Sequence, residues 1–495
     1  MDQVRTRDQA RTKHQVPRPT DQTIVSARAL FVGGTSSNAG KSWMATAICA
    51  WLHDRGVSVA PFKAQNMSNN SYPCRAGGEI GRAQVAQAEA CGLDPEPAMN
   101  PILLKPNGNG TSQVVVNGRM WKTLSAREYY QHTGELRDRV VEAYEDLSSR
   151  FDVIVIEGAG SVSELNLRDH DIVNLWLVTR LRVPWMLVAD IERGGVFGSV
   201  IGTTQLLTAD ERSLFRGFAV NKFRGDVSLF DEGVRMLEQR TASRCVGVFP
   251  YDVDLELDAE DTLALRTQPT TPSPPGARIA IVRLPQLSNA TDFRLLTWAE
   301  WIASPPADRY DFVILPGSKN TIADLSWLRR VGLADWLVEQ HRRGTTVIGI
   351  CGGYQMLGRT ISDPDRMESS AGTAEGLGLL PAVTRLTMEK RTEAVTATTP
   401  GGRTFGGYEI HIGVTTLDAG GDIAPFARLS GGGVDGVRGA GAIGSYLHGA
   451  FEDRDVCAEV FGIDPPPATS KASRYRGMGE WFARHARHLD ALGLE

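Results

Sequence analysis

Cys351 closes an apolar run, Thr345-Thr-Val-Ile-Gly-Ile-Cys351-Gly-Gly-Tyr-Gln-Met-Leu357. Gly349-Ile-Cys351-Gly-Gly353 fits a nucleophile elbow, in which a strand turns sharply into a helix and presents the central side chain. A helix N-terminus favours the thiolate, the nucleophilic form. A thiolate needs a base. Among nine histidines, His448 in Gly444-Ser-Tyr-Leu-His448-Gly-Ala-Phe451 is the first candidate, because it follows a short predicted strand and precedes small residues. His411, in Gly407-Tyr-Glu-Ile-His411-Ile-Gly413, is the rival base and is read as lying on the substrate side. Backbone N–H groups of Gly317, in Leu315-Pro-Gly-Ser-Lys319, and of Gly352 would stabilise a tetrahedral oxyanion. The chemistry of this set is acyl transfer through a thioester.

A second set lies far upstream. Gly33-Gly-Thr-Ser-Ser-Asn-Ala-Gly-Lys-Ser42 joins a predicted strand to a predicted helix. Glycines let the backbone curl so that its N–H groups meet phosphate oxygens. Gly34, Thr35, Asn38, Ala39 and Gly40 form this cradle, Lys41 reaches the outer phosphates, and the Ser42 hydroxyl holds Mg²⁺. Five residues separate Gly34 from Gly40, one more than in the common phosphate loop. Asp152-Val-Ile-Val-Ile-Glu157-Gly-Ala-Gly-Ser161 is an apolar strand ending in a carboxylate, which would complete the Mg²⁺ shell directly or through water. Asn221-Lys222, after another strand, is read as a base-recognition loop of the nucleotide site.

The two sets together define one reaction class. A carboxylate repels nucleophiles until ATP phosphorylates it. The resulting acyl phosphate accepts ammonia, which the cysteine centre releases from the glutamine side chain. The expectation is a glutamine-dependent, ATP-consuming amide ligase.

The elements that must position these residues alternate. In the first half, candidate strands are 29–32, 57–60, 153–156, 185–189, 218–220 and 245–249, mostly apolar on both faces as buried parallel strands are. The second half repeats the style at 278–282, 312–315, 346–350 and 442–446. Between them Thr267-Gln-Pro-Thr-Thr-Pro-Ser-Pro-Pro-Gly276 reads as an extended spacer. The expected organisation is a disordered polar leader over 1–26, an ATP-binding α/β domain over 27–264, a linker over 265–277, and a glutaminase α/β domain over 278–495 that ends in a helix. With 495 residues, 42% hydrophobic and 22% charged, the chain is neither a disordered tail protein nor a disulfide scaffold. A net charge of −5 argues against nucleic acid as a partner. No apolar run approaches a membrane span, and the N-terminus lacks the apolar stretch of a secretory signal. The six cysteines show no C-x-x-C pair, which points to the reducing cytoplasm rather than to a zinc or redox site.

The residues also carry a family resemblance. Gly34–Ser42, Pro61-Phe-Lys-Ala-Gln-Asn-Met-Ser68, Ile156-Glu-Gly-Ala-Gly-Ser161, Val188-Ala-Asp-Ile-Glu-Arg-Gly-Gly-Val-Phe197, Asn221-Lys-Phe-Arg-Gly-Asp226, Leu315-Pro-Gly-Ser-Lys-Asn320, the Cys351 elbow and Gly407-Tyr-Glu-Ile-His411 occur in the order seen in the cobyric acid synthases, from about Ala29 to the helix near Trp481. The longer phosphate loop is also similar to that of dethiobiotin synthetase. The resemblance implies a P-loop NTPase domain with a dethiobiotin-synthetase-like parallel sheet, followed by a class I glutaminase-like α/β domain. It implies ATP, Mg²⁺ and glutamine, and a corrinoid substrate: four peripheral carboxylates (b, d, e and g) of adenosylcobyrinic acid a,c-diamide become amides. By position Cys351 is the nucleophile and His448 its base. Related glutaminases place a Glu two residues after that His; here the position is Ala450. The group orienting His448 is then unassigned, with Glu452 and Asp453 the nearby acids. Lys63, Gln65 and Asn66 are expected at the substrate carboxylate or the transferring phosphoryl group, with Glu164 and Asp171 as further substrate candidates. Two neighbouring functions share the plan: cobyrinic acid a,c-diamide synthase and the cell-wall amidotransferases. A P-loop ATPase switch shares only the first half, lacks an early loop lysine here, and has no use for a cysteine elbow.

Overall fold

The computed structural model describes residues 27–107, 110–252, 255, 273, 277–368, 372–418, 423–463, 465 and 470–494. The expected leader and almost all of the Pro/Thr-rich linker lie outside the described residues. Six parallel strands form the first sheet, in the spatial order Cys245–Pro250, Phe215–Phe223, Trp185–Asp190, Arg28–Gly34, Val153–Glu157 and Val59–Phe62. Leu30, Phe31 and Val32 are wholly buried because this central strand is covered on both faces. The edge strand runs two residues later than the sequence pattern suggested. It accommodates Pro61, which has no N–H to donate, because it pairs on one side only.

A second sheet follows the order Glu300–Ile302, Ile279–Val282, Phe312–Leu315, Thr346–Ile350, Ala442–Ser445 and Val437–Gly439, parallel except for the last pair. Both sheets aim the C-terminal ends of their strands at the chemistry-bearing loops, the usual ligand edge of such sheets.

Two further pieces have no counterpart in the expected organisation, and a third, the closing helix, was expected and packs on the first domain. A four-stranded sheet (Gln65–Met67, Ile102–Pro106, Thr111–Val116, Arg119–Ser125) is inserted after the first domain's edge strand. A long hairpin, Ala382–Thr398 with Thr404–Leu417, extends from the second domain. The helix Lys471–His485, read from sequence as the end of the glutaminase half, buries Tyr475, Met478, Trp481 and Phe482 in the core of the first domain. Trp481 stacks edge-on against Trp43 at 3.9 Å, on the helix Lys41–His53 that follows the phosphate loop. Among the described residues no helix is long and apolar enough to cross a membrane, and all six cysteines are free and buried.

Candidate active sites in two domains

The cysteine centre is built on the strand Thr346–Ile350 and the helix Gly352–Leu357. Cys351 joins them at φ 51° and ψ −109°, a backbone conformation that costs a non-glycine residue free energy and that clusters at functional sites. Close packing forces the flanking glycines: a Cβ at Gly353 would stand 2.0 Å from the Leu315 carbonyl oxygen. His448 is buried and in hydrogen-bonding contact with the Cys351 thiol. Its Nδ1 lies 2.7 Å from Oδ2 of Asp292, and the other carboxylate oxygen accepts the Gly449 N–H at 3.0 Å. Burial disfavours the charged ring, but the Asp292 carboxylate, its hydrogen bond and the Cys351 sulfur outweigh burial and raise the His448 pKa to about 10.

Asp292 is therefore the acid at His448, and neither nearby acid of the sequence reading is. Glu452 is taken up by Arg82 at 2.9 Å and Arg294 at 3.1 Å. Asp453 accepts from the Asp455 and Val456 N–H groups, capping the helix Arg454–Phe461. Asp292 lies in the short helical turn Ala290–Phe293, which follows the second domain's first long strand. An acid in that position, at the ligand edge of a parallel sheet, was the available signal.

Gly317 pairs with Ser288, and a Cβ there would touch the His448 ring at 3.1 Å. Gly352 opens the elbow helix, where N–H groups have no intrahelical partner. The hydrogen-bonding place at the thiol is taken by His448, and His411 has other partners. Its Nδ1 lies 2.7 Å from the Gly413 carbonyl, so that nitrogen carries the proton, and the ring stacks on Tyr446 at 3.8 Å. Burial lowers its pKa to about 4 and keeps it neutral, with Nε2 as a buried acceptor lacking a hydrogen-bond partner among the described residues. The preceding carbonyl, of Ile410, is 3.6 Å from the Cys351 sulfur.

The phosphate loop is held from several sides. Gly40 adopts φ 98°, and a Cβ there would meet the Asn221 amide nitrogen at 2.0 Å. Asn221 donates to the Ala39 carbonyl at 3.0 Å, and Lys222 to the Asn38 carbonyl at 2.6 Å and to Asp190 at 2.8 Å. Both residues thus brace the phosphate loop. The Gly34 backbone runs against the Lys41 side chain; a Cβ there would stand 2.9 Å from Cδ. Thr35 N–H bonds the Val188 carbonyl, tying the loop to the neighbouring strand. Lys41 donates to the carbonyls of Ser36 at 3.0 Å and Gly160 at 2.7 Å.

Glu157 ends its strand wholly buried. It accepts from Ser42 Oγ at 2.7 Å, Lys63 Nζ at 2.9 Å and Gln87 at 2.5 Å. Burial alone would raise its pKa, but the Lys63 charge and these hydrogen bonds outweigh it and hold the carboxyl ionised. An ionised carboxylate beside a hydroxyl at the loop's lysine is an oxygen donor set that fits a hard cation also bound to phosphate.

These residues line a cavity of about 890 Å³ with Lys63, Gln65 and Asn66. Gln65 accepts from Tyr129 at 2.7 Å, and Asn66 donates to Gln84 at 3.0 Å. Glu164 stands at the cavity wall. Asp171 also lines it, but its carboxylate is spent on the N–H groups of Val173, Asn174 and Trp176, so it shapes the loop.

A strand-coupled P-loop domain and a cysteine–histidine elbow domain in one chain define an ATP-dependent, glutamine-hydrolysing amide ligase. Residues 30–264 match the CobQ/CobB/MinD/ParA nucleotide binding domain, and residues 278–456 match the CobB/CobQ-like glutamine amidotransferase domain. The cobyric acid synthase of Syntrophobacter fumaroxidans is 45% identical over 455 residues, 87% of this chain and 88% of that one. That of Salmonella typhimurium is 44% identical over 492 residues, covering 94% and 95%. That of Jannaschia sp. is 45% identical over 439 residues, covering 86% and 90%. The chain belongs to the cobyric acid synthase family, whose reaction is a glutamine-dependent amidation in cobalamin synthesis.

Proposed function

We propose that the protein amidates the b, d, e and g carboxylates of adenosylcobyrinic acid a,c-diamide to give adenosylcobyric acid, with glutamine as nitrogen donor and ATP as activator. The observation that carries this reading is the pairing of a buried Cys351–His448–Asp292 centre with a phosphate-loop cavity floored by Lys63 and Glu157. Cys351 gives its proton to His448 Nε2, and the thiolate attacks the glutamine amide carbon. N–H groups of Gly352 and Gly317 hold the oxyanion. His448 returns the proton to the leaving nitrogen, so ammonia departs and a thioester remains. Water, with His448 as base, releases glutamate. Asp292 holds the ring in the productive tautomer throughout. His411, neutral, with an acceptor nitrogen, serves the glutamine side.

In the other domain the corrinoid carboxylate attacks the γ-phosphorus of ATP, and ADP leaves. Lys41 and the loop N–H groups hold the phosphates, and Lys63 draws the carboxylate in. Ser42 and Glu157 would hold Mg²⁺, which supplies charge neutralisation between phosphates. Ammonia then attacks the acyl carbon, phosphate leaves, and the amide forms. Exposed apolar groups at the cavity rim, Met67, Tyr130 and Leu167, suit a large macrocycle whose carboxylate reaches the charged floor.

The test is incubation with glutamine, ATP-Mg²⁺ and the a,c-diamide, followed by mass spectrometry of the corrinoid. Stepwise conversion of four carboxyls to carboxamides is expected. Reaction only on the unamidated a and c carboxylates of cobyrinic acid would assign the protein to the diamide synthases instead.

A further inference from the structure

The turn that serves His448 is fastened to the other domain. Asn289 lies in left-handed backbone at φ 53°, and its N–H donates to Oδ1 of Asn70 at 2.7 Å. Its side-chain amide stands 3.2 Å from His448 Nε2, and Asp292, three residues on, holds Nδ1. One four-residue turn thus addresses both ring nitrogens, and its first residue hangs on a side chain of the ATP-binding half. Asn70, Asn289, Asp292 and His448 are all buried.

Asn70 is itself well held. Its N–H donates to Ser68 Oγ at 3.0 Å, and its carbonyl accepts the Arg82 N–H at 3.1 Å. Arg82 pairs across the domains with Glu452, just past His448 in sequence. Upstream, Asn66 in the same loop bonds Gln84, whose amide reaches Glu157 at 3.4 Å. Polar contacts thus hold the segment 66–70 at both ends, to the phosphate-site carboxylate through Asn66 and Gln84 and to the glutaminase turn through Asn70.

We propose that Asn70, a residue of the ATP-binding domain, is a positioning residue for glutamine hydrolysis, acting through the Asn289–Asp292 turn on the orientation of His448. The inference rests on the reading of Cys351 and His448 as the glutaminase centre. An imidazole bonded at both nitrogens from one turn follows any shift of that turn, and reaction rates fall steeply with small displacements of a catalytic group. Because the anchoring oxygen comes from the other domain, hydrolysis is efficient only while the two domains are docked.

The test uses full-length Asn70→Ala, Asn70→Asp and Cys351→Ser. In Asn70→Ala the kcat for glutamate release falls about tenfold or more while KM for glutamine stays within about twofold, as expected for a lost buried hydrogen bond that orients and does not bind. Amidation driven by free ammonium is unchanged, and Asn70→Asp, which keeps an acceptor oxygen, restores most of the rate. Normal hydrolysis in Asn70→Ala overturns the proposal. So does an equal loss of hydrolysis and ammonium-driven amidation, or an Asp variant as slow as the Ala variant. Hydrolysis surviving in Cys351→Ser would instead refute the glutaminase centre itself; an inactive Cys351→Ser beside a normal Asn70→Ala removes only the positioning role.

Discussion

At the scale of single residues, the chemistry turns on how His448 is kept protonated and aimed. Its pKa is raised to about 10, so the imidazolium partner of the thiolate persists up to roughly that pH and is lost above it. Removing the Asp292 charge takes away the main stabilising group, and the pKa falls. In Asp292→Asn the alkaline limb of glutamine hydrolysis therefore moves to lower pH by about 1–3 units. The amide would also donate to Nδ1 and turn the proton of the neutral ring onto Nε2, where it cannot accept from Cys351. A fall in kcat of about 10²- to 10⁴-fold is expected, without change in ammonium-driven amidation. A pH–rate profile of glutamate release checks both effects; an unmoved alkaline limb with near-normal kcat would count against Asp292. The thiol elbow and His448 were legible in sequence because a nucleophile between glycines has few other uses. Asp292 was not, since it lies 156 residues before His448 and no periodicity marks its turn.

Among the elements, the inserted four-stranded sheet does work that its sequence conceals. Leu104, Ser112 and Val114 line the phosphate-site cavity, while Lys105 and Gln113, their strand neighbours, lie on the glutaminase side. Strand alternation thus makes one sheet a partition between two reaction centres. The stretch was unread in sequence because its strands are short and its buried outer positions, Lys105 and Gln113, are polar. Lys105 bonds Glu79 at 2.6 Å, Lys390 of the long hairpin pairs with the same carboxylate, and Lys319 reaches Gln113 at 3.2 Å. Burial lowers Lys105 to about 7, against the opposing pull of Glu79. Glu79, though burial opposes it, is held ionised by both lysines. Glu79→Gln removes the carboxylate that both interfacial lysines share. It should cost about 3–5 kcal/mol, the usual effect of removing one partner from a buried ion pair. Chemical denaturation followed by tryptophan fluorescence measures it; a change below about 0.5 kcal/mol, as at ordinary surface sites, would show that the cluster is solvated and not structural. Most of the two large sheets, by contrast, was readable from runs of Val and Ile; Pro61 disguised the first sheet's edge strand, and the second sheet's short edge strands, Glu300–Ile302 and Val437–Gly439, were not read.

For the whole molecule, the two centres are separable in chemistry and joined in structure. Lys41→Ala should abolish amidation with either nitrogen source while glutamate release continues, because Lys41 lies in the phosphate loop and donates to the Ser36 and Gly160 carbonyls there; parallel assays of glutamate and carboxamide decide it, and normal amidation would displace the ATP site. The joining is most visible in the C-terminal helix, which crosses back from the glutaminase half. Trp481 is 2% exposed and packs on Trp43 and on Phe249 at 5.0 Å; Phe482 meets Trp51 at 5.5 Å. These partners include the helix that begins at Lys41, so the helix Lys471–His485 supports the geometry of the first ligand loop. Lys471 and Tyr475 add contacts to Glu89 at 2.7 and 2.6 Å. Trp481→Ala removes a large ring from this core and should destabilise the protein by about 3–5 kcal/mol. The location of the damage is the sharper prediction. If the helix belongs energetically to the first domain, nucleotide binding in the variant will be lost at lower guanidinium concentration than glutamate release is. Loss of glutamate release first would place the helix with the second domain, contrary to the packing.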